Sequence, residues 1–399
     1  MSNRIIFFVW LALTISSNAQ VPILPEGTVA INTLLSAKSK DSLKCSIHPL
    51  APFLDFTFRY ESGFSILAPL DQFDPSEEFI IYLRVTPNSG TPVLLRQSFD
   101  ISPIPQDIRA KTDIKQLKKL QLSMSGAFAV GEGRYTAEVL MVDKHQRICR
   151  KEWKFEARKQ NPHAVFRTLE PGTVQPLIAD DWDGKLNGQG IRLTVLMHVI
   201  PMNPNSAKLY AWDWGFLLQS LTSLLKQLPC QSVRIVAFNL DQQREIFRQD
   251  SFDAEGFAQL TQALQKLELA TVSYKALQRG SWPKMLVHLA REQTSAKDSS
   301  DAVVFLGPSA HFEDKVPQEM MQGIEEGGPR FFYFEYYPWL TGQFPDSIDY
   351  LTRSLHGTVY RIHSPDELGR SIQKMLGEIK HLQHGESATQ SQLSTSQLP

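Results

Sequence analysis

The segment from Ile191 to Leu240 constrains the fold of this chain more than any other part of the sequence. It contains an apolar strand (IRLTVLMHV), an amphipathic helix and a second apolar strand (SVRIVAFNL). A strand, a helix and another strand in this order form the βαβ unit of a parallel α/β sheet. Ligands of such sheets collect at the carboxyl ends of the strands. We therefore expect any binding site near the loop that follows the first strand.

Length and charge limit the possible classes of protein. The chain has 399 residues, enough for two domains with substantial cores. Its formal net charge of -1 argues against a nucleic-acid binder, whose affinity rests on neutralising phosphates. The charge does not argue against a protein partner.

The first 19 residues have the organisation of a signal peptide. Arg4 supplies the positive charge, and the apolar run from Ile5 to Ile15 is too short to span a bilayer. Small residues at Ser17 and Ala19 predict cleavage after Ala19, and an uncleaved anchor is the alternative. We expect a secreted or periplasmic protein with no stable membrane insertion after cleavage.

Three cysteines follow the signal segment: Cys45, Cys149 and Cys230. In an oxidising compartment two of them are expected to pair, and three pairings are possible. We favour Cys45 with Cys149 because these two residues flank the same part of the chain.

The first half of the mature chain reads as a leader, residues 20–42, followed by an all-β domain, residues 43–158. Short alternating segments between turn signals predict a β-sandwich. The predicted strands are 54–60, 79–85, 93–99, 121–130, 135–142 and 147–157. The stretch around Tyr135 resembles the corner of an immunoglobulin-like domain, where a tyrosine hydroxyl fixes the chain. Ala137 stands where antibody domains carry a cysteine.

Residues 159–189 are rich in proline and glycine and read as a linker. The stretch from Asp180 to Gly184 resembles part of a calcium loop but lacks the first ligand and the closing glutamate, so an acidic linker is favoured. The tail, residues 384–399, is rich in Ser, Gln and Thr and is predicted to be disordered.

Residues 190–383 read as an α/β domain. Helical stripes run through 217–228, 257–267, 282–289 and 368–382, and further strands are predicted at 245–248, 302–306, 330–336 and 358–362. This order resembles the von Willebrand factor A domain, a doubly wound, Rossmann-type sheet. The match rests on LTVLMHVIP, SVRIVAFNL, DAVVFLGPS and the final strand and helix. The layout with an N-terminal sandwich is similar to uncharacterised secreted bacterial proteins related to that family.

The resemblance implies a metal site that this sequence does not support. The family uses an Asp-x-Ser-x-Ser loop, a threonine and a later aspartate, all oxygen ligands. Here the first loop runs from His198 through Pro201 without a carboxylate, and Leu306-Gly307-Pro308 follows the fourth strand. Only Ser281 could replace a family ligand. We expect no bound metal and no cofactor, because hard cations need several oxygen ligands.

The leading hypothesis is a metal-independent binding or scaffolding protein rather than an enzyme, acting on another protein or an envelope component. Tyr337 and Trp339 are candidates because exposed aromatic residues anchor interfaces. Two aromatic clusters, 210–214 and 333–339, are read first as core and helix–sheet packing, an assignment expected to hold for Phe334 and Trp214. The alternatives are a hydrolase with an unrecognised site, using His198 or His311 as a base, and a calcium-supported adhesin. The candidate binding edge comprises His198, Asn203, Asn205, Ser281, His311, Tyr337 and Trp339.

Overall fold

The computed structural model describes most of the chain outside its N-terminus and several connecting segments. The described residues are 16–17, 21–23, 42–73, 78–100, 120–159, 169–177, 182–186, 190–203, 206, 208–269, 282–295, 300–310, 315–322, 324, 328–336 and 346–395. The chain is β-rich and divides into two compact units. The first unit comprises Met1–Leu54, Arg59–Gln160 and Thr168–Ile178, and the second comprises Asp55–Phe58, Asn161–Arg167 and Ala179–Pro399.

The described residues of the first unit form ten strands. Their bounds are β1 Ser16–Ser17, β2 Val21–Pro22, β3 Ser46–Leu54, β4 Tyr60–Pro69, β5 Glu78–Pro87, β6 Val93–Asp100, β7 Gln121–Val130, β8 Gly133–Asp143, β9 Ile148–Ala157 and β10 Val174–Pro176. One antiparallel sheet has the order β1-β6-β5-β8-β9, with β2 also paired to β6, and the other has the order β10-β7-β4-β3. Inward side chains of both sheets, among them Phe64, Phe79 and Phe128, pack in one apolar core. The predicted β-sandwich domain is therefore present as two antiparallel sheets on a shared core.

The strand predicted at 54–60 is wrong, because this stretch is the reversal between β3 and β4. The Asp55 side chain accepts the backbone N–H of Thr57 at 2.9 Å and its hydroxyl at 2.7 Å, and Phe58 has a positive φ of 61°. An aspartate that bonds the backbone two residues later is typical of a tight turn. The hydropathy pattern does not reveal this turn, because aromatic residues alternate with other residues through it as they would in a strand.

The disulfide between Cys45 and Cys149 is present, with the Cα atoms 6.2 Å apart. It connects the chain entering β3 of one sheet to β9 of the other sheet. Cys230 is a free, fully buried cysteine in the second unit. The pairing favoured from the sequence is confirmed.

The predicted linker, residues 159–189, contains a strand that belongs to the sandwich. Val174–Pro176 forms β10, which pairs antiparallel with the end of β7. The Tyr135 hydroxyl donates to the carbonyl of Gly131 at 2.9 Å, as the corner motif predicted. The sequence does not reveal this strand, because three residues among many Pro and Gly leave almost no periodic signal.

The second unit contains one mixed sheet and six α-helices among its described residues. The strands are β11 Ile191–His198, β12 Cys230–Asn239, β13 Arg244–Gln249, β14 Ala302–Pro308, β15 Arg330–Tyr336 and β16 Thr358–Ile362. The helices are α1 Ala211–Gln227, α2 Ala254–Gln265, α3 Trp282–Ser295, α4 Gln318–Met321, α5 Ser347–Ser354 and α6 Pro365–Thr395. The sheet order is β13-β12-β11-β14-β15-β16, and every pair is parallel except β12 with β13.

Helices cover this sheet on both faces. Leu286 of α3 and Ile348 of α5 join a core with Leu196, Phe305 and Tyr333, whose side chains share one face of the sheet. Helices α1 and α6 contact each other and lie against the opposite face, where the Tyr360 hydroxyl donates to Glu378 of α6 at 2.8 Å. This arrangement explains why the central strands are continuous apolar runs, since both of their faces are buried.

Helix α6 continues to Thr395 and therefore covers most of the tail predicted to be disordered. The tail contains Gln, Glu and Ala, which propagate a helix once its N-terminal turns are formed, and no proline before its last residue. None of the described helices combines the length and the apolar character needed to cross a membrane.

Candidate functional site

The loop after β11 is held by one buried carboxylate, that of Asp213 in the first turn of α1. Its Oδ1 accepts the backbone N–H of Met202 at 3.0 Å, and its Oδ2 accepts that of Tyr210 at 2.8 Å. Asp213 is 1% exposed. A carboxylate at this position also suits the positive end of the helix dipole. One side chain therefore fixes both ends of the loop at the carboxyl edge of the sheet.

Three side chains form a row immediately after this loop, and we call it the aromatic row: Lys208, Tyr210 and Trp212. The rings of Tyr210 and Trp212 stack with centroids 4.6 Å apart and an interplanar angle of 23°. The Lys208 ammonium lies 5.4 Å from the centroid of the Tyr210 ring. Trp212 is 65% exposed and Tyr210 is 39% exposed. A stacked, exposed Trp–Tyr pair is the kind of surface on which binding energy concentrates in protein interfaces.

The backbone below the aromatic row is held from a second side. Lys208 forms an antiparallel bridge with Glu268, and the carbonyl of Glu268 accepts the side-chain amide of Gln242 at 2.8 Å. The Ser206 hydroxyl donates to the carbonyl of Lys208 at 2.7 Å. Together with Asp213, these contacts present the row on a fixed backbone, which lowers the entropic cost of binding.

Of the aromatic cluster 210–214, only Trp214 is expected from the sequence to be a packing residue, and the structure shows Tyr210 and Trp212 at the surface. The signal that could have found Trp212 is its position on the helix. The apolar stripe of α1 runs through Leu217, Leu221 and Leu224, which are buried, whereas Trp212 lies on the side of Gln219. A tryptophan on the polar face of an amphipathic helix is a candidate for contact with a partner.

His198 is buried rather than available at the binding edge. It is 1% exposed, its Nδ1 lies 3.3 Å from the carbonyl oxygen of Pro308, and its ring stacks on Phe238. A Cβ at Gly307, which has a φ of 157°, would lie 2.4 Å from the carbonyl oxygen of His198. The ends of β11 and β14 thus meet closely, and the candidate His198 lies at the carboxyl end of β11 with its side chain buried.

A second buried carboxylate, Asp346, connects the end of β14 to α5. Its Oδ1 accepts the N–H of Asp349 at 2.7 Å, which caps the helix. Its Oδ2 accepts the Tyr333 hydroxyl at 3.0 Å, the Ser309 hydroxyl at 3.2 Å and the N–H of Ala310. Burial raises the pKa of Asp346, and the donors oppose this shift. With four donors around it, this carboxyl group holds the edge of the sheet together.

The remaining candidates are placed only in part. Asn203 is exposed, and its carbonyl accepts the N–H of Ser206 at 2.9 Å in the loop after β11. Five predicted residues lie outside the described part of the chain: Asn205, Ser281, His311, Tyr337 and Trp339. Phe334 is fully buried, as predicted for a core residue, and Trp214 is half-buried.

The acidic stretch before the sheet is described only from Trp182 to Leu186. Trp182 is 2% exposed and stacks on Phe252, so it is a core residue of the second unit. Lys185 donates to the Asp183 carboxylate at 2.9 Å and holds the pKa of that carboxyl below its usual range. In the part of the chain that the structure describes, no three His, Cys, Asp or Glu side chains are grouped so that they could hold a metal ion.

Comparisons with known proteins give no family for this chain. No known protein family matches its sequence, and no curated protein matches it either. An X-ray structure determined as a Northeast Structural Genomics Consortium target is 8% identical, with a TM-score of 0.17, over 31% of this chain and 98% of that one. The solution structure of a lipoprotein from Bacteroides thetaiotaomicron is 12% identical, with a TM-score of 0.14, over 33% of this chain and 96% of that one. A conjugate transposon protein from Bacteroides vulgatus is 10% identical, with a TM-score of 0.13, over 32% of this chain and 95% of that one. Likenesses at such TM-scores define neither the fold nor the function of this protein.

Proposed function

We propose that this is an exported binding or scaffolding protein that engages another protein through the carboxyl edge of its second sheet-containing unit. The observation that carries the proposal is the stacked pair of Tyr210 and Trp212, exposed at the start of α1. Large aromatic side chains are costly to leave in water, and interface hot spots are enriched in Trp and Tyr. Binding, rather than catalysis, is the activity that this surface supports.

We extend this to the fold, and infer a von Willebrand factor A-like second unit and an immunoglobulin-like first unit. A von Willebrand factor A-like second unit is supported by the strand order β13-β12-β11-β14-β15-β16 and by helices on both faces. In that interpretation Asp213 takes over from a metal ion, because it fixes the loop after β11 through backbone N–H groups. An immunoglobulin-like sandwich is supported by the bond from Tyr135 to Gly131.

Export is part of the same proposal. The Cys45–Cys149 disulfide is expected of a protein that matures in an oxidising compartment. The predicted signal segment lies almost entirely outside the described residues. Mass spectrometry of the exported protein should show a chain that begins after Ala19, and an intact Met1 on exported material would contradict this step.

The binding proposal is tested by affinity capture from an envelope extract of the source cells. We expect a protein that the wild type and Phe53→Ala both retain and that Trp212→Ala fails to retain. Phe53 is a matched control because it is an aromatic side chain 53% exposed on β3, in the other unit. A partner lost with Phe53→Ala but kept by Trp212→Ala would place binding on the sandwich and refute the proposal.

A further inference from the structure

The polar side chains next to the aromatic row are already engaged within the protein. The Ser206 hydroxyl donates to the Lys208 carbonyl, and both carboxylate oxygens of Asp213 accept backbone N–H groups. A site that reads the hydroxyl groups of a sugar needs several directional polar groups beside its stacking ring. The row instead offers apolar ring area with a single cation at one end.

The Lys208 ammonium supplies that cation. Among the described residues no carboxylate lies within ion-pair distance of it, although Glu268 is its backbone partner across the bridge. The ammonium lies over the Tyr210 ring instead, a position that stabilises the cation and leaves it able to accept an anion from outside. The N-terminal end of α1, positive by its dipole, begins beside the same ring.

We propose that the aromatic row binds an acidic peptide segment of the partner protein, with an Asp or Glu at Lys208 and an apolar side chain against Trp212. This rests on the proposed function and names the chemistry of its partner. On an extended peptide, side chains two residues apart lie on the same face about 7 Å apart. One peptide can therefore contact the cation and the indole at the same time.

The test uses the exported full-length protein and a phage-displayed library of random linear peptides. We expect selected peptides to carry Asp or Glu two positions from an aromatic or aliphatic residue. Trp212→Ala should weaken binding of the resynthesised peptides by about tenfold or more, since it removes the exposed indole that contacts their apolar side chain. Higher salt should also weaken binding of these peptides, because salt screens an ion pair at the surface.

Two charge variants with opposite effects decide the sign of the partner's charge. Lys208→Gln should weaken binding of an acidic peptide by about two- to fivefold, the range for the loss of an exposed ion pair. Glu268→Gln should strengthen binding of the same peptide, because it removes a neighbouring negative charge that repels the carboxylate of the peptide. Selection of basic peptides, or the reverse order of these two variants, would overturn the proposal.

The outcome also separates this inference from the proposed function. Peptides whose binding requires Trp212 but which show no enrichment of Asp or Glu would refute the acidic segment. They would still support the proposed binding surface. An array of neutral and acidic oligosaccharides is probed in parallel. Glycan binding that depends on Trp212, without any peptide that does, would refute both the acidic peptide and the protein partner.

Discussion

The carboxylate of Asp213 accepts the backbone N–H of Met202, eleven residues earlier in the chain, at a distance of 3.0 Å. The same carboxylate accepts the N–H of Tyr210 at 2.8 Å. The loop after β11 is therefore closed at both ends by one side chain of the following helix. The position of the aromatic row depends on that closure.

Asp213→Asn should destabilise the second unit by about 2–3 kcal/mol, because hydrogen bonds to a buried charged group are costly to lose. The asparagine amide has one acceptor oxygen for two N–H groups and turns its own N–H₂ toward one of them. Urea denaturation measures the loss, and amide exchange at Met202 and Tyr210 should become faster. Asp253→Asn is the matched control, since Asp253 caps α2 through Gly256 at an exposed position. An effect of equal size in both variants would contradict the role given to Asp213.

Removing the disulfide should destabilise the sandwich strongly. The bridge spans a sequence separation of 104 residues, for which the chain-entropy account gives roughly 4–5 kcal/mol and engineered cases often give less. We expect the Cys45→Ala/Cys149→Ala variant to lose about 3–5 kcal/mol. Dithiothreitol should lower the stability of the wild type to the same level and leave the double variant unchanged. A reductant effect on the wild type that disappears in Cys230→Ala would contradict this pairing, because Cys230 is free in the structure.

Cys230 should lower the stability of the protein at alkaline pH. Burial raises the pKa of its thiol to about 12, whereas an unfolded thiol ionises near its ordinary value of about 8.5. The native state therefore keeps a proton that the unfolded state loses, and this stabilising contribution declines as the pH rises from about 8.5 toward 12. Unfolding measured from pH 7 to 10.5 should show a steeper loss for the wild type than for Cys230→Ala. Equal slopes would show that the thiol is not buried in solution.

Tyr135→Phe should cost about 1 kcal/mol, the typical value of one neutral hydrogen bond, because it removes the donor to Gly131 and leaves the ring in place. Tyr82→Phe is the matched control. Tyr82 is a half-buried strand residue of the same sheet, and the described residues give its hydroxyl no hydrogen bond. Thermal or urea unfolding of both variants measures the difference. A Tyr82→Phe effect as large as that of Tyr135→Phe would argue against the corner as the cause.

Much of the fold could be predicted because hydropathy was periodic over long elements. The predicted bounds of β7, β15 and β16 match the observed ones. The buried positions of β7 alternate over its first half, and those of β15 are continuous, so both give a clear hydropathy signal. The reversal at Asp55 could not be predicted in this way. Alternating aromatic residues give the same pattern in a strand and in a turn whose side chains also find apolar contacts.

The site was harder to predict than the fold. The sequence predicts a binding surface at the carboxyl end of β11 and includes His198 in it. The side chain of His198 is buried, and the close approach of Gly307 to that strand cannot be seen in one dimension. The exposure of Trp212 does not follow from the aromatic cluster in the sequence but from the position of Trp212 opposite the buried leucines of α1. Asp213 was missed because its role is to accept two N–H groups from residues that only the folded loop brings near it.

The disulfide joins the entry of β3 to β9, so most of the sandwich lies between its two cysteines. If the exported protein is pulled from both ends, tension passes from Cys45 directly to Cys149 and bypasses the strands between them. At about 3.3–3.6 Å per residue, roughly 350 Å of chain stays locked until the bond is reduced. The bridge therefore limits how far this part of the chain can extend under load.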